Sequence, residues 1–407
     1  MATAIATAER AGSEQAHFIA FCADSSTNAA VDRVIGDMML PHASIRKGTV
    51  KDAIKYLSQH PSPKLLMVDI TGSDLPLSDI DNLADVCEPG VSVIAIGERN
   101  DCGLFRDLLH HGVTDYLVKP LSPALLQKAI SNISEEGDHA KGNSKLGKLV
   151  GVMGARGGVG ATTVATSLSW IIAQQRRRKV ALLDLDLQFG TVALSLDIEP
   201  SHGLREALES VERIDSLFMD RMMIQHSDRL FVMSAEESPD ETLLLDPAAI
   251  ELLLNDLRNR FHYVVVDLPR STNPTTLQVL EYATDLILVS DLSLAGMRDT
   301  MRTIGFLPTL NASCNSVVIA SRAGEHKNGE MPKTEFEKGV GRKVDFVLPF
   351  DAKTVAAATN FGQPVAAGKG PVAKGLGEIA DRLCGPAAGA DLPHHSILRR
   401  LLSKAQG

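Results

Sequence analysis

Short apolar runs alternate with amphipathic stretches along the first third of the chain. The apolar runs lie at 17–22, 65–70, 91–96 and 115–118. Patterns typical of helices lie at 29–39 and 121–133. Apolar runs bounded by polar residues predict strands that are buried on both faces, and their alternation with helices indicates a doubly wound parallel sheet.

The same alternation continues on a larger scale in the rest of the chain. Strands are predicted at 148–153, 179–184, 229–233, 262–267, 285–290, 316–320 and 344–348. Two α/β units therefore follow one another, and we predict domains at 15–133 and 147–385. The small and polar residues of 1–14 predict a disordered start, and 134–146 has the composition of a linker.

Composition and charge narrow the class of protein. The chain has 407 residues, of which 44% are hydrophobic and 22% are charged. No apolar run approaches the roughly 18 residues of a membrane span, and the first residues lack the apolar stretch of a signal peptide. We therefore expect a cytoplasmic protein. Five scattered cysteines fit a reducing compartment, and the net charge of −9 makes nucleic acid an unlikely partner.

A glycine-rich loop at 154–163 follows the strand predicted at 148–153 and precedes a helical pattern. In a phosphate-binding loop, glycines let backbone N–H groups reach the phosphates, a lysine neutralises them and a hydroxyl binds Mg²⁺. Thr162 lies at the hydroxyl position, whereas Ala161 occupies the lysine position. A methyl group cannot neutralise the charge that builds on a transferring phosphoryl group, so the loop predicts nucleotide binding with poor hydrolysis.

The loop and two later motifs resemble the deviant Walker-A ATPases of the MinD/ParA class. The segment 182–190 resembles the switch segment of that class, and 263–269 resembles its Walker-B strand. The resemblance implies that ATP and Mg²⁺ are the cofactors, that Asp186 positions the attacking water, and that Thr162 and Asp267 support the metal. The residues implied to bind the nucleotide are Ala155, Arg156, Gly157, Gly158, Val159, Gly160, Ala161, Thr162, Thr163, Arg322 and Pro349.

Some residues of these motifs depart from the class or admit a second interpretation. Arg156 matches the signature lysine with which the class reaches the phosphates of a partner subunit, and this implies a homodimer. Asp184 also suits the end of a strand, and Asp186 also suits the cap of the following turn. Ser321 precedes Arg322 where the class usually has asparagine beside the base.

The first domain resembles the receiver domain of two-component response regulators, which implies a flavodoxin-like doubly wound sheet. Asp24 follows the first predicted strand, Asp69 ends a later one, and Lys119 precedes Pro120. The resemblance implies that Asp69 accepts phosphate, with Asp24 and Lys119 beside it. One acid of the metal-binding pair is missing, and Gly97 replaces the switching hydroxyl. We therefore favour a degenerate receiver used for docking, with a phosphorylated switch as the alternative.

Both domains together resemble the CpaE/TadZ proteins of Flp (tight adherence, Tad) pilus assembly over nearly the whole chain. That family implies an organiser at the cell pole, with the pilus secretion ATPase and other Flp/Tad assembly proteins as partners. Hydrolysis by this chain then need not power assembly. The alternatives are a working MinD/ParA-type ATPase that positions cargo or DNA, and a response regulator with an ATPase-like output domain.

The last segment, 386–407, combines a linker-like stretch with a short basic amphipathic pattern. Apolar residues between Ile397 and Leu402 fall on one helical face, with basic residues beside them. The pattern resembles the membrane-targeting helix that ends MinD proteins, and it implies peripheral contact with the inner membrane. A short helix docked on its own domain fits the same spacing, so both interpretations stay open.

Overall fold

The computed structural model describes residues 17–135, 146–201, 203–210, 216–326 and 329–385. Two largely parallel sheets with helices on both faces account for most of this part of the chain. The predicted start at 1–14, most of the predicted linker and the basic segment 386–407 lie outside the described residues.

The first sheet has five parallel strands in the order β2-β1-β3-β4-β5. Its strands are β1 Phe18–Cys22, β2 Ala43–Lys47, β3 Leu65–Asp69, β4 Ser92–Gly97 and β5 Asp115–Val118. Its helices are α1 Ser25–Asp37, α2 Val50–Leu57, α3 Pro76–Val86, α4 Cys102–His110 and α5 Pro123–Glu135. Helices α1 and α5 pack on one face and α2, α3 and α4 on the other, which is the doubly wound arrangement that the apolar runs predicted.

Strand β2 was missed by the apolar pattern. It lies at the sheet edge, and its side chains are half-buried or exposed, so it carries no continuous apolar run. Helix α1 also begins earlier than predicted. Asp24 Oδ1 accepts a hydrogen bond from Thr27 N at 2.8 Å and caps the helix, which therefore starts at Ser25.

The second sheet has eight strands in the order β13-β12-β11-β6-β10-β7-β9-β8. The strands are β6 Lys148–Gly154, β7 Val180–Asp184, β8 Ile224–Ser227, β9 Leu230–Met233, β10 Tyr263–Leu268, β11 Asp285–Ser290, β12 Asn315–Ala323 and β13 Phe346–Pro349. The central strands β6 and β10 are buried on both faces, as their apolar sequences predict.

Helices cover both faces of the second sheet. They are α6 Ala161–Trp170, α7 Val192–Ser195, α8 Gly203–Glu209, α9 Ser216–Met222, α10 Pro247–Arg260, α11 Pro274–Tyr282, α12 Leu294–Leu310, α13 Lys333–Val340, α14 Ala352–Asn360 and α15 Pro371–Cys384. A π-helical turn at Ile171–Gln175 continues α6, and a 3-10 turn lies at Val365–Ala367. Helices α6, α7, α14 and α15 pack on one face, and α8 to α12 pack on the other.

Strand β8 corrects the prediction of a wholly parallel second sheet. It pairs antiparallel to β9 at the sheet edge. Only two residues separate β8 from β9, and a connection that short can join antiparallel strands but not parallel ones. Its side chains are half-buried or exposed, so the apolar pattern did not reveal it.

The two sheets meet at the amino ends of their strands. The loop that precedes β4 and the residues that precede β6 and β10 line a shared cavity of about 450 Å³. Across this junction, Lys179 Nζ lies 3.7 Å from Glu88 Oε2. The carboxyl ends of both sheets, where the predicted functional residues lie, therefore face away from the junction.

Candidate functional site

The glycine-rich loop connects β6 to α6 at the carboxyl edge of the second sheet. Gly158 (φ 76°) and Gly160 (φ 90°) adopt the left-handed conformation that favours glycine, and Gly160 is the N-cap residue of α6. A Cβ atom on Gly154 would lie 2.7 Å from Arg156 O, so the start of the loop also excludes a side chain. The loop thus surrounds the amino end of α6 with bare backbone, which is a geometry that binds phosphate.

A cavity of about 410 Å³ opens at this loop. Its other walls come from the segment after β7 and from the end of β10. Outside the loop, the lining residues are Asp186, Phe189, Gly190, Thr191, Asp267, Leu268, Pro269 and Arg270. The structure therefore brings the predicted phosphate loop, switch segment and Walker-B aspartate together around one space.

Two buried carboxylates lie beside the cavity. Asp267 is 5% exposed and Asp184 is 1% exposed, and they are register partners on β10 and β7. Burial raises the pKa of both groups, and repulsion between them raises the pKa of Asp267 further. The Thr162 hydroxyl hydrogen-bonds the Asp267 carboxylate and opposes that rise in pKa. Because hydroxyl and carboxylate oxygens suit Mg²⁺ and a cation relieves the repulsion, Thr162 and Asp267 fit the implied metal.

Asp186 shapes the turn that follows β7. Its backbone N–H donates to Asp184 Oδ1 at 3.1 Å, and its own Oδ1 accepts from Phe189 N at 3.1 Å. Val192 N donates to Asp184 Oδ2 at 3.2 Å. Both carboxylates therefore hold the backbone of the switch segment, as the capping interpretation requires. Asp186 also lines the cavity, and its role in positioning water stays a prediction.

A second cavity, of about 300 Å³, lies beside the same loop. Gly158 and Thr163 line it together with Arg322 and Pro349, two of the residues predicted to bind the nucleotide. Arg322 has a φ of 58°, its Nη1 donates to Gly158 O at 2.5 Å, and its guanidinium carbon lies 5.9 Å from the Phe350 ring centroid. The remaining wall is largely apolar, which suits a planar base.

Arg156 is held within its own chain. Its Nη1 lies 3.1 Å from Ser293 Oγ and 3.5 Å from Asp291 Oδ2. Pairing with β11 continues one residue past the end of β6, where Ala155 N donates to Val289 O at 2.8 Å, and this places Arg156 beside Asp291. Sequence reasoning missed Asp291 and Ser293, although Ser293 has the N-cap position of α12.

Ala155 differs from the other residues predicted to bind the nucleotide. It is 3% exposed, it lines neither cavity, and its N–H is used by β11. Its backbone donor therefore points into the sheet, away from the phosphate cradle.

The first sheet carries a charged pocket at its own carboxyl edge. Lys119 Nζ lies 2.6 Å from Asp24 Oδ2 and 2.6 Å from Asp69 Oδ2. Burial raises the pKa of Asp69, but hydrogen bonds from Lys119 and from the Thr71 and Ala23 backbones outweigh it and hold that pKa below its usual range. The hydrogen bond from Lys119 likewise lowers the pKa of Asp24. The predicted residues thus meet, with an ammonium group bridging the two carboxylates.

Gly97 lies where a switching hydroxyl was expected, and Tyr116 explains the absence of a side chain there. A Cβ atom on Gly97 would lie 2.7 Å from Tyr116 Oη. The Tyr116 side chain is buried, and its hydroxyl donates to Arg99 O at 2.9 Å. An aromatic side chain therefore fills the space that a residue larger than glycine would need.

Lys119→Met is expected to destabilise the protein by about 3 kcal/mol, because it leaves the fully buried Asp69 carboxylate without a countercharge. The pKa values of Asp24 and Asp69 are lowered, so the stabilisation is fully present at neutral pH and is lost only as the pH falls through them. Urea unfolding at pH 7 measures the effect.

Two further variants serve as controls for this measurement. Lys119→Met/Asp69→Asn removes both buried charges and is expected to recover most of the lost stability. Lys128→Met changes an exposed lysine of α5 and is expected to leave the free energy of unfolding unchanged. Equal stability of Lys119→Met and the parent protein would show that the ammonium group does not stabilise the pocket.

No helix within the described ranges is long and apolar enough to cross a membrane. Those ranges also contain no group of three or more His, Cys, Asp and Glu side chains that could hold a metal ion. A metal at Thr162 and Asp267 would therefore depend on phosphate and water ligands, which is usual for Mg²⁺ in nucleotide sites.

The part of the chain that contains the second sheet is similar to known proteins. Residues 147–316 match the family described as AAA domain. The septum site-determining protein MinD of Bacillus subtilis (strain 168) is 25% identical over 228 residues, which are 54% of this chain and 82% of that protein. MinD complexed with Mg-ADP from Pyrococcus horikoshii OT3 has a TM-score of 0.51 at 18% identity, over 58% of this chain and 96% of that one.

A solved structure also matches a smaller part of the chain. The pilus assembly protein CpaE from Caulobacter crescentus CB15 is 34% identical, covers 28% of this chain and 91% of its own, and has a TM-score of 0.27. The match to the AAA domain family covers residues 147–316, which contain β6 to β11 of the second sheet. Residues 147–316 therefore match the AAA domain family, and this part of the chain is similar to MinD proteins and shares the α/β fold of solved MinD and ParA structures.

Proposed function

We propose that the second domain binds ATP with Mg²⁺ weakly and hydrolyses it slowly, in a chain that organises Flp/Tad pilus assembly at the cell pole. The proposal of weak nucleotide binding rests on one observation. The backbone of the glycine-rich loop forms a cradle for phosphate, and the methyl group of Ala161 lies at the lysine position. The pilus part rests on the resemblance of the motifs in both domains to the CpaE/TadZ proteins.

Two neighbouring cavities support nucleotide binding. They share Gly158, Val159, Gly160 and Thr163, so one ligand can occupy both. The cavity beside Asp267 offers backbone donors and a hydroxyl for phosphates, and the cavity beside Pro349 offers an apolar wall for a base. Mg²⁺, when bound at Thr162 and Asp267, supplies positive charge to the phosphates.

The charges around the phosphate cavity support weak binding. Arg156 and Arg270 are the cations among the residues that line it. Arg156 lies 3.5 Å from Asp291 and Arg270 lies 2.9 Å from Asp299, so each is already paired with a carboxylate. Without a lysine at Ala161, no unpaired cation of this lining is available to the phosphates, and the developing charge of phosphoryl transfer stays poorly neutralised.

The first domain, in this proposal, is a receiver-like docking domain that is not phosphorylated. Its strand order, 2-1-3-4-5, is that of flavodoxin-like sheets. Asp69 is fully buried beneath Lys119, so the predicted phosphate acceptor is not accessible. Tyr116 fills the space beside Gly97, so the position of the switching hydroxyl has no room for a side chain. A phosphorylated switch is the alternative, and it requires Asp69 to become accessible.

The proposal also covers the partners of the chain and its contact with the membrane. We place a homodimer interface on the second domain, with the pilus secretion ATPase and other Flp/Tad proteins as partners. Contact with the inner membrane through 386–407 and docking of that segment on its own domain remain the two alternatives. Co-sedimentation with anionic vesicles distinguishes them, when the full-length chain is compared with a variant that lacks residues 395–407.

Purified full-length protein tests the nucleotide part through ATP affinity and turnover in Mg²⁺. Turnover is expected far below the roughly 1 s⁻¹ at the slow end of typical enzymes. Asp267→Asn is expected to weaken Mg-ATP binding at least tenfold, and Asp107→Asn, an exposed change on α4, is the control. Turnover near 1 s⁻¹ that Asp267→Asn abolishes would support the working-ATPase alternative instead.

Cells that assemble Flp pili test the organiser part. Without the chain, a fluorescent pilus secretion ATPase is expected to lose its polar position. Replacing the chain by the Asp267→Asn variant is expected to restore most of that position, because the proposed role depends neither on hydrolysis nor on tight nucleotide binding. Normal polar foci in the absence of the chain would refute the organiser role.

A further inference from the structure

The cavity of about 450 Å³ between the two sheets shares no lining residue with either nucleotide cavity. This space, the junction cavity, is lined by both domains, among others by Ala84, Cys87 and Val93 of the first and Lys148, Arg178 and Tyr263 of the second. Ligand sites often lie at domain interfaces and measure roughly 300–1,000 Å³. The junction cavity therefore has room for a small organic molecule.

Part of the wall of the junction cavity is apolar. Cys87 and Val93 line it from the first domain, and Tyr263 and Leu383 line it from the second. All four residues are buried. Such a wall offers contact area to the apolar part of a ligand, and it keeps water away from a charged group bound beside it, which strengthens an ionic contact there.

Arg178 is a half-buried cation of this lining that has no partner. Its guanidinium forms no hydrogen bond or ion pair with any residue that the structure describes. Lys148, which also lines the cavity, differs from it because its Nζ donates to Leu383 O at 2.9 Å. A charged group that is partly removed from water without a partner is costly, and a bound anion would offset that cost.

The charge of Arg178 acts on groups that line the cavity. Burial raises the pKa of Cys87 to about 12 and repulsion from Glu88 adds to the rise, whereas Arg178 opposes it. Burial also raises the pKa of Tyr263, and Arg178 again opposes the rise. Burial lowers the pKa of His262 to about 3, and repulsion from Arg178 lowers it further. Because such effects weaken with distance, the guanidinium lies near all three groups.

Carboxylates of the lining do not neutralise this guanidinium. Glu88 lies 3.7 Å from Lys179, and Asp381 pairs with Arg176, so two of them are engaged by cations outside the lining. Asp85, the third, is exposed. Within the described ranges, none of the three lies at ion-pair distance from the unpaired guanidinium, which is therefore available to an anion from solution.

We propose that the junction cavity binds a small organic anion, whose carboxylate or phosphate group pairs with Arg178 and whose apolar part packs on the wall. A guanidinium can form two parallel hydrogen bonds with either group. Because both domains line the cavity, the bound anion contacts both and stabilises the arrangement in which the two sheets meet. This site is independent of nucleotide binding at the opposite edge of the second sheet.

Phenyl phosphate and benzoate test this site, because they carry the two anionic groups on the same ring. Isothermal titration of the full-length protein is expected to show one bound molecule per chain for at least one probe. The expected dissociation constant is about 1 mM or lower, the range open to molecules of this size. The probe that binds more tightly identifies the anionic group that the cavity prefers.

Arg178→Gln is expected to weaken binding of that probe at least tenfold. Arg177→Gln removes the same charge from an exposed neighbouring position and is expected to leave the affinity unchanged. Ala84→Phe adds a ring at a half-buried position of the lining without a change of charge, and it is expected to weaken binding as well. Thermal unfolding of the same samples shows whether each variant folds.

Mg-ATP is expected not to displace the probe, because the nucleotide cavities share no lining residue with the junction cavity. Displacement by Mg-ATP would place the probe in the nucleotide site and overturn the proposal. Parent-like affinity of a folded Arg178→Gln variant would overturn it too, as would the absence of binding by both probes. None of these outcomes bears on the proposed binding of ATP.

Discussion

Gly160→Val is expected to abolish measurable ATP binding, with a loss of affinity of at least 100-fold. Gly160 has a φ of 90° and caps α6, and a β-branched residue is strongly disfavoured in that conformation. The backbone must leave the left-handed region, and the N–H groups that face the phosphate cavity then turn away from it. Isothermal titration with Mg-ATP measures the loss.

Gly341→Val is the matched control for this change. Gly341 has a φ of 79°, ends α13 and has no atom within 4 Å of an added Cβ. Both substitutions impose similar backbone strain, on the order of 1–3 kcal/mol, but Gly341 lies outside both cavities. Gly341→Val should therefore lower stability and keep ATP affinity. Equal ATP affinity of Gly160→Val and the parent would show that the loop does not hold the phosphates.

Ala161→Lys is expected to strengthen ATP binding at least tenfold, which corresponds to about 1.4 kcal/mol. Ala161 lines the phosphate cavity at the first position of α6, so a lysine there brings a cation to phosphates that otherwise meet only paired arginines. The gain is expected to shrink as salt concentration rises. Fluorescence titration with a labelled ATP analogue at two salt concentrations measures both effects.

Ala161→Met separates the charge from the size of the new side chain. Methionine has a similar length and no charge, so it should leave ATP affinity unchanged or lower it. Turnover of the Ala161→Lys variant should rise with affinity, because the same cation neutralises charge in the transition state. If the lysine and methionine variants bind ATP equally, the missing lysine is not the cause of weak binding.

Buried strands could be predicted from the sequence, and edge strands could not. The runs that became β3, β6 and β10 are apolar apart from one charged residue each, because both of their faces are covered by helices. Strands β2 and β8 lie at sheet edges with half-buried or exposed side chains, so their sequences resemble loops. Edge strands are specified by pairing with a neighbour, and that information is not local.

The residues of the candidate site likewise divide into those that could be predicted from the sequence and those that could not. The phosphate loop, Asp267 and Arg322 could be assigned because each lies in a contiguous motif. The partner of Arg156 could not, because Asp291 is brought near by pairing of β11 with β6, more than 100 residues away in the chain. We expected Arg156 to need an anion from another subunit, and the structure supplies one from its own chain.

Because the two sheets meet at the amino ends of their strands, the two candidate sites are far apart. The pocket at Lys119 and the nucleotide loop lie at the carboxyl edges of the two sheets, on opposite sides of this junction and on the order of 50 Å apart if strands rise about 3.3 Å per residue. No small ligand can touch both, and two large partners can occupy the two ends at once without steric competition. A dimer joined at the nucleotide edges would carry a first domain on each outer side, and such bivalence raises avidity for any assembly that repeats its subunits.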